Sequence, residues 1–487
     1  MITIKGKSIS QKTLLIVVLS ALGVLLVGLC IGLVVALTPK DKAVVAPPSS
    51  QTEESRGSTD ASGESTQSAG STSQEGDSTM SLNDSTASAT STAGKPDNTQ
   101  PPATAGTKAT SATTKKTDTY KTYTKYNLDA YMTPVWKGGV VYNESIMFFP
   151  NGKTRKTDPA PLLYKPDKIL SVRSSDLKTE YKEGVDYVVE NGCIKLTENT
   201  RIWSWSYDEF YLRSPASVPI GSVQAPGRYV FYTNGATYAD TQLAVTYTHS
   251  GKWTGTVPQY AGSQLPTTVA KLKAKQPVTV VYYGDSIMVG CEASGLNKYE
   301  PYMPIFTTMV TDQLKKTYGT SNIKEINTSV GGQHSEWGRD EAAERVTKYN
   351  PDLVVIGFGM NDSGLAVEVD GNTQPVDVAR YEANIRAIIQ NVRSKNPNAE
   401  FILVSTTLPN PDCNGWTNWQ PKYKAGLENI AKDTAGVALA PMTDMHTYLL
   451  SKKRYEDMDG NGVNHPNDFL ARVYAQTIAQ CLVPNLG

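Results

Sequence analysis

The stretch "VVYYGDSIMVG" (Val280–Gly290) runs four β-branched or aromatic residues straight into Gly284, Asp285 and Ser286. Gly, Asp and Ser all favour turns, so a plain turn accounts for the tripeptide. The sharper reading is a serine nucleophile held at a strand tip. A given tripeptide of common residues turns up by chance in roughly one chain in ten of this size. The remaining sequence therefore has to supply a base and an oxyanion hole.

Working outward, Val278–Tyr283 is the first of five candidate strands, followed by Ile323–Asn327, Leu353–Phe358, Phe401–Ser405 and Val437–Ala440. Helical stretches separate them. "PIFTTMVTDQLKKTYG" ends on a glycine, and "SEWGRDEAAERVTKYNP" ends before a proline. "VDVARYEANIRAIIQNVRSKNPNA" places Ile385, Ile388, Ile389 and Val392 at helical spacing, and "NDFLARVYAQTIAQCLV" closes the chain. Strands alternating with helices predict an α/β fold with a mostly parallel sheet covered on both faces. Ligands of such sheets sit at the carboxyl ends of the strands, where Ser286 falls.

The chain has 487 residues, for a length prior of about three domains. Lys+Arg and Asp+Glu balance at 47 each, which argues against a nucleic-acid binder. The five cysteines, at 30, 193, 291, 413 and 481, form no CxxC pair, so no zinc or redox site is visible. Two disulfides and free buried thiols both fit the four outside the N-terminal apolar run. Only His249, His334, His446 and His465 are available as a general base.

Leu14 to Leu37 is uncharged over 24 residues. As a helix it measures about 36 Å, enough to cross a hydrocarbon core of about 30 Å. Lys5, Lys7 and Lys12 precede it, which keeps residues 1–13 cytoplasmic. The run is longer than a cleaved signal peptide and its exit offers no small-x-small site, so it reads as an uncleaved signal anchor. Residues 38–117 are rich in Ser, Thr, Gly and Ala, and cannot bury enough apolar surface to offset chain entropy. They read as a disordered tether with a root-mean-square span of about 50 Å. This arrangement places the rest of the chain outside a cell membrane, single-pass.

Residues 118–262 hold short β-type runs broken by Gly, Asn, Asp and Pro, among them "GGVVYNESIMFF", "KILSVRSS" and "RYVFYTNGATYADTQLAVTYTH". A β-sandwich is expected there, ahead of an α/β domain over 263–487. Its aromatics, Trp136, Trp203, Trp205, Tyr207 and Tyr211, suit either sandwich packing or a sugar platform. "IWSWSY" alternates, which puts Trp203 and Trp205 on one face if it is a strand.

Acyl transfer by serine needs a nucleophile, a base, oxyanion donors and a group that orients the base. Ser286 supplies the first, and its own N–H points at developing charge if it opens a helix. "NTSVGGQHS" follows the second strand, where Gly331 and Gly332 permit close backbone approach. "IGFGMNDSG" ends the third strand and offers the Asn361 amide. "DMDGNGVNHPNDF" places His465 on a loop before the last helix, with Pro466 in its first turn. Each residue alone has a structural explanation. Chance less readily places all four at strand-to-helix loops or the last helix start.

These blocks resemble the SGNH hydrolase family, also called GDSL esterases: "GDS" carries Ser286, "GG" Gly332, "GMND" Asn361 and "NHPND" His465. The resemblance covers about 276–487. It implies a flavodoxin-like α/β/α fold and ester hydrolysis through an acyl-enzyme by Ser286 and His465. It also implies an oxyanion hole of Ser286, Gly332 and Asn361. Residues 118–260 look like the β-sandwich that precedes this domain in some bacterial cell-surface relatives. The family usually has Asp three residues before its histidine, and Gly462 stands there instead. Either a backbone carbonyl orients His465 in a dyad, or Asp459 or Asp457 swings in.

The expected function is a membrane-anchored extracellular esterase acting on O-acylated, chiefly O-acetylated, carbohydrates, without metal or organic cofactor. A lipid esterase is the alternative within the class, and Trp416 in "LPNPDCNGWTNW" (Leu408–Trp419) suits either pocket. A degenerate hydrolase kept as a glycan-binding surface protein is the alternative outside it. An O-acetyltransferase fits less well, since one span does not carry an acyl donor across a membrane.

Overall fold

The computed structural model describes residues 2–4, 7–9, 120–215, 219–364 and 375–487. Ile2–Ile4 and Lys7–Ile9 pair as a short antiparallel ribbon. Leu14–Leu37 and the tether lie outside the described residues. Among those described, no helix is long and apolar enough to cross a membrane.

Five parallel strands form the central sheet: Val278–Gly284, Ile323–Asn327, Leu353–Gly357, Glu400–Val404 and Val437–Ala440. The second strand lies outside the first, and the third, fourth and fifth follow on its other side. All neighbours are parallel. The order reverses beside the first strand, which creates a crevice between the ends of the first and third strands. Side chains alternate between two apolar layers. Val281, Tyr283, Val354 and Ile356 meet Ile385, Ile388 and Ile389 of helix Val378–Lys395. Val280, Tyr282, Leu353 and Val355 meet Phe306, Met309 and Val310 of helix Phe306–Tyr318 and residues of helix Asp468–Leu482. This is the α/β/α core expected from the sequence. Two further helices are Gln420–Asp433, which no sequence period marks, and Met442–Leu450, which contains His446.

The preceding residues form small antiparallel sheets. Four strands run in the order Val140–Met147, Gln242–Thr248, Lys168–Ser174, Glu180–Tyr181. Three shorter ones, Ala160–Pro161, Cys193–Leu196 and Tyr187–Glu190, make another sheet, and Tyr211–Leu212 pairs with Tyr229–Val230. A free-standing sandwich would expose alternate residues of its outer faces. Val140–Met147 instead buries seven of its eight residues, and Gln242–Thr248 six of seven.

Helix Asp468–Leu482 explains this burial. It packs against Val140–Met147 as well as against the parallel strands Glu400–Val404 and Val437–Ala440. All but one of its side chains are buried on one or other side. One apolar cluster runs from Ile146, Val172 and Val245 through Phe469 and Val473 to Val280 and Leu353. The described residues from 120 to 487 accordingly belong to a single packed unit. The change at about residue 262 is one of strand direction, with no break in packing.

The stretch "IWSWSY" is not a strand. Trp203 is 51% exposed, whereas Trp205 is buried beside Phe210 and Phe231. The two do not share a face. The four cysteines among the described residues are free thiols.

Candidate active site

Gly284 and Asp285 turn the chain off the first strand. The Asp285 carboxylate caps the single-turn helix Ser286–Val289 by accepting from Ile287 N–H at 2.9 Å. This fixes Ser286 at the carboxyl end of the strand, nearly buried. Asp285 lies wholly in the interior, and burial pushes its carboxyl up to about 7, with the nearby Asp362 adding to the effect. Asp362 is also raised by burial, against the N–H of Ser335 donating to its Oδ1 at 3.0 Å.

The His465 loop is built on Asn461. Its Oδ1 accepts from the backbone N–H groups of Val463, Asn464 and His465 at 2.9, 2.9 and 3.1 Å. Gly460 N–H donates to His465 O at 2.8 Å, which closes the turn. Asn467 caps the following helix through Leu470 N–H, so Pro466 precedes the cap and lies outside the first turn. The result sets His465 Nε2 2.9 Å from Ser286 Oγ, hydrogen-bonding distance for proton transfer.

A cavity of about 430 Å³ opens over this pair. Ser286, Gly331, Gly332, Asn361, Trp416 and His465 all line it. The Asn361 Nδ2 donates one hydrogen to Gln333 O at 2.9 Å, which orients the amide and leaves the second hydrogen free. All four sequence-predicted residues are thus brought together.

The other histidines lie outside the cavity lining. His334 Nδ1 accepts from Glu336 N–H at 3.2 Å and caps helix Ser335–Arg345. His446 Nδ1 accepts from Leu408 N–H at 3.0 Å, and burial lowers its pKa to about 3. His249 stacks on Tyr164 at a centroid distance of 3.8 Å, and burial lowers its pKa too. Cys291 also lines the cavity, but burial pushes its thiol up to about 11, so it stays protonated.

Sequence reasoning missed the carboxylate behind His465. Glu292 Oε1 stands 3.4 Å from His465 Nδ1, and Glu292 is buried. Neither expected aspartate plays this part. Asp457 accepts from Met147 N–H at 2.9 Å and from Arg454. Asp459 is buried with its pKa raised well above the usual range, and its Oδ2 has no partner among the described residues. Gly462 leaves no room for an acid. A Cβ there would stand 2.0 Å from the carbonyl oxygen of Phe231. The antiparallel part occupies that place.

That part also walls the cavity, through Ile220, Tyr232 and Asn234. Nothing in the spacing of its residues marks them for this role.

Residues 282–472 match the GDSL-like Lipase/Acylhydrolase family. No curated protein matches the chain. Among solved structures, a catalytic mutant of an acetylxylan esterase from Geobacillus stearothermophilus is 16% identical, over 42% of this chain and 94% of that one, at a TM-score of 0.35. A second acetyl xylan esterase is 19% identical, over 41% of this chain and 98% of that one, at a TM-score of 0.33. The family match covers every block that carries the Ser286–His465 pair, and the chain is an ester hydrolase.

Proposed function

We propose that the chain is a membrane-anchored, extracellular serine esterase that removes O-acyl groups, chiefly acetyl, from carbohydrates. The observation that carries this reading is the 2.9 Å contact between Ser286 Oγ and His465 Nε2 at the floor of an open cavity. The cavity's polar wall favours a polyol. Asn234, Asn297 and Asn464 offer donors and acceptors, and Tyr232 and Trp416 offer aromatic surface.

In this mechanism Ser286 Oγ attacks the acyl carbon as His465 Nε2 takes its proton. The backbone N–H groups of Ser286 and Gly332 and the free Asn361 amide hydrogen hold the oxyanion. The carbon–oxygen bond to the sugar breaks, and His465 returns the proton to the departing alcohol. Water then attacks the acyl-enzyme with His465 as base, releasing the acid and restoring Ser286. The uncharged run 14–37 supplies the anchor, and residues 38–117 the reach from the surface.

The test is acid release by the full chain, wild type against Ser286→Ala. Substrates are acetylated sugars, acetylated xylan and p-nitrophenyl esters of rising chain length. Ser286→Ala is expected to lower turnover of acetylated glycans by at least about 10³-fold. Preference for long acyl chains would move the substrate to lipids, and an undiminished rate in Ser286→Ala would reject the mechanism.

A further inference from the structure

We propose that Glu292 is the positioning residue for His465, and that the antiparallel part holds it in place through its Phe231–Gly235 loop. This loop is therefore a working part of the hydrolase, and the catalytic set is complete only when both sheets are docked.

Three observations carry the inference. First, the Glu292 carboxylate is bound at both ends. Oε1 faces His465 Nδ1 at 3.4 Å, and Oε2 accepts from Gly235 N–H at 2.7 Å. The second contact reaches across from the antiparallel part. It fixes the carboxylate's orientation, much as an outer hydrogen bond fixes a histidine ring. Gly235 adopts φ 81° and ψ −155°, a region essentially confined to glycine, and this aims its N–H at the acid.

Second, Glu292 is held at φ 68°, a backbone conformation that costs an L side chain. Such outliers gather where function needs them, and Glu292 lies six positions after Ser286, just past the single-turn helix that Ser286 opens. Tyr299 Oη–H donates to the Glu292 backbone oxygen at 2.9 Å, one of the contacts that hold the turn.

Third, the neighbouring loop is cut to fit. A Cβ at Gly460 would stand 2.7 Å from Glu292 Cβ, so only glycine leaves space for the acid to reach His465. Two positions further on, the Phe231 carbonyl fills the space above Gly462. Thr233 N–H donates to Asn461 O at 3.2 Å, which ties the two loops directly. The antiparallel part thus excludes an acid from one side of His465 and secures one on the other.

The physical role follows from the tautomer. With Nδ1–H turned to Glu292, His465 presents the Nε2 lone pair to Ser286 Oγ–H. When the ring takes that proton, the carboxylate faces the new positive charge.

The proposal rests on the ester-hydrolase reading, and its test separates the two. The full chain is assayed on phenyl acetate, which needs no glycan recognition. Ser286→Ala reports on the reading, and undiminished turnover there would overturn both. Glu292→Gln keeps the shape and removes the charge. It is expected to lower kcat roughly a hundredfold or more with KM unchanged. Glu292→Asp, which keeps the charge at a longer distance, should recover part of that loss. Gly235→Ala has open space for its methyl but a forbidden backbone angle, and should lower kcat in the same direction. A wild-type kcat in Glu292→Gln would overturn the proposal. So would equal losses in Glu292→Gln and Glu292→Asp, which would mark a packing role.

Discussion

Two sheets press on helix Asp468–Leu482, and they are held to the molecule in different ways. The parallel sheet is fixed by apolar layers, Val280 and Tyr282 on one face and Val281 and Tyr283 on the other. The antiparallel sheet shares that apolar core, but its seam also carries buried polar contacts. Lys453 meets the Glu144 carboxylate and donates to Ser145 O at 2.9 Å, with both charged side chains fully buried. Asn467 Nδ2 donates to Ser145 Oγ at 2.9 Å and to Gln242 Oε1 at 3.0 Å. Gln242 Nε2 donates to Asp459 O at 2.7 Å. Apolar burial is non-directional and tolerates sliding. A seam of buried hydrogen bonds accepts one docking only, because any other leaves polar groups unpaired. The antiparallel part is therefore docked in register, as it must be if its Phe231–Gly235 loop borders the Ser286–His465 pair.

The seam depends most on Lys453. Lys453→Met removes the cation and leaves the Glu144 carboxylate buried, with Leu163 N–H and the Tyr247 hydroxyl as its remaining partners among the described residues. A loss of roughly 3–5 kcal/mol is expected in urea unfolding of the full chain. Adding Glu144→Gln to Lys453→Met should recover part of it, since no unpaired charge then remains. A loss below about 1 kcal/mol would place the pair among surface-like contacts and undo the argument for a directional seam.

A smaller effect is expected at Gly462, where the seam reaches the site. Its φ of +89° disfavours any side chain, and a Cβ would collide with the Phe231 carbonyl. Gly462→Ala should cost about 2 kcal/mol or more through the backbone angle and the displaced loop. Activity on phenyl acetate should fall with it, because the same loop carries Gly235. Full activity at wild-type stability would show the loop to be loosely seated. Gly462→Asp should not restore a Glu292→Gln enzyme, since the space an acid would need is already filled.

The two regions also differ in how far they could be read from sequence. The five parallel strands were legible to within about one residue, because each is a short apolar run between helical periods. Ser286, Gly332, Asn361 and His465 were legible because each sits at a strand end or the last helix start. Glu292 was not. It belongs to no spaced motif, and its value depends on a loop some 57 positions earlier in the chain. Asn461 was hidden likewise, inside a loop that reads as a turn. The antiparallel strands were visible as β-type runs, but their partner was not. Val140–Met147 is apolar at most positions because a helix from the far end of the chain covers it, and local pattern does not reveal that cover. Trp203 and Trp205 show the same limit, since alternation carries meaning only where the segment is a strand.

A pH dependence joins the two regions. Asp285 lies under the nucleophile and Glu456 beside the seam, and burial raises each to about 7. Unfolded, they titrate near 4. The folded state therefore binds more protons between about pH 4 and 7. Stability from these groups is complete below the unfolded values and is lost as pH rises through the folded ones. Asp186 has the opposite sign, because the hydrogen bond from Arg201 holds it low, and it acts only in more acidic solution. The full chain should melt at a higher temperature at pH 5 than at pH 8. Asp285→Asn keeps an oxygen for Ile287 N–H while removing the charge, so it should flatten that slope and raise Tm at pH 8. The slope would persist unchanged if Asp285 were ionised throughout, and its burial under Ser286 would then cost the fold nothing that pH can recover.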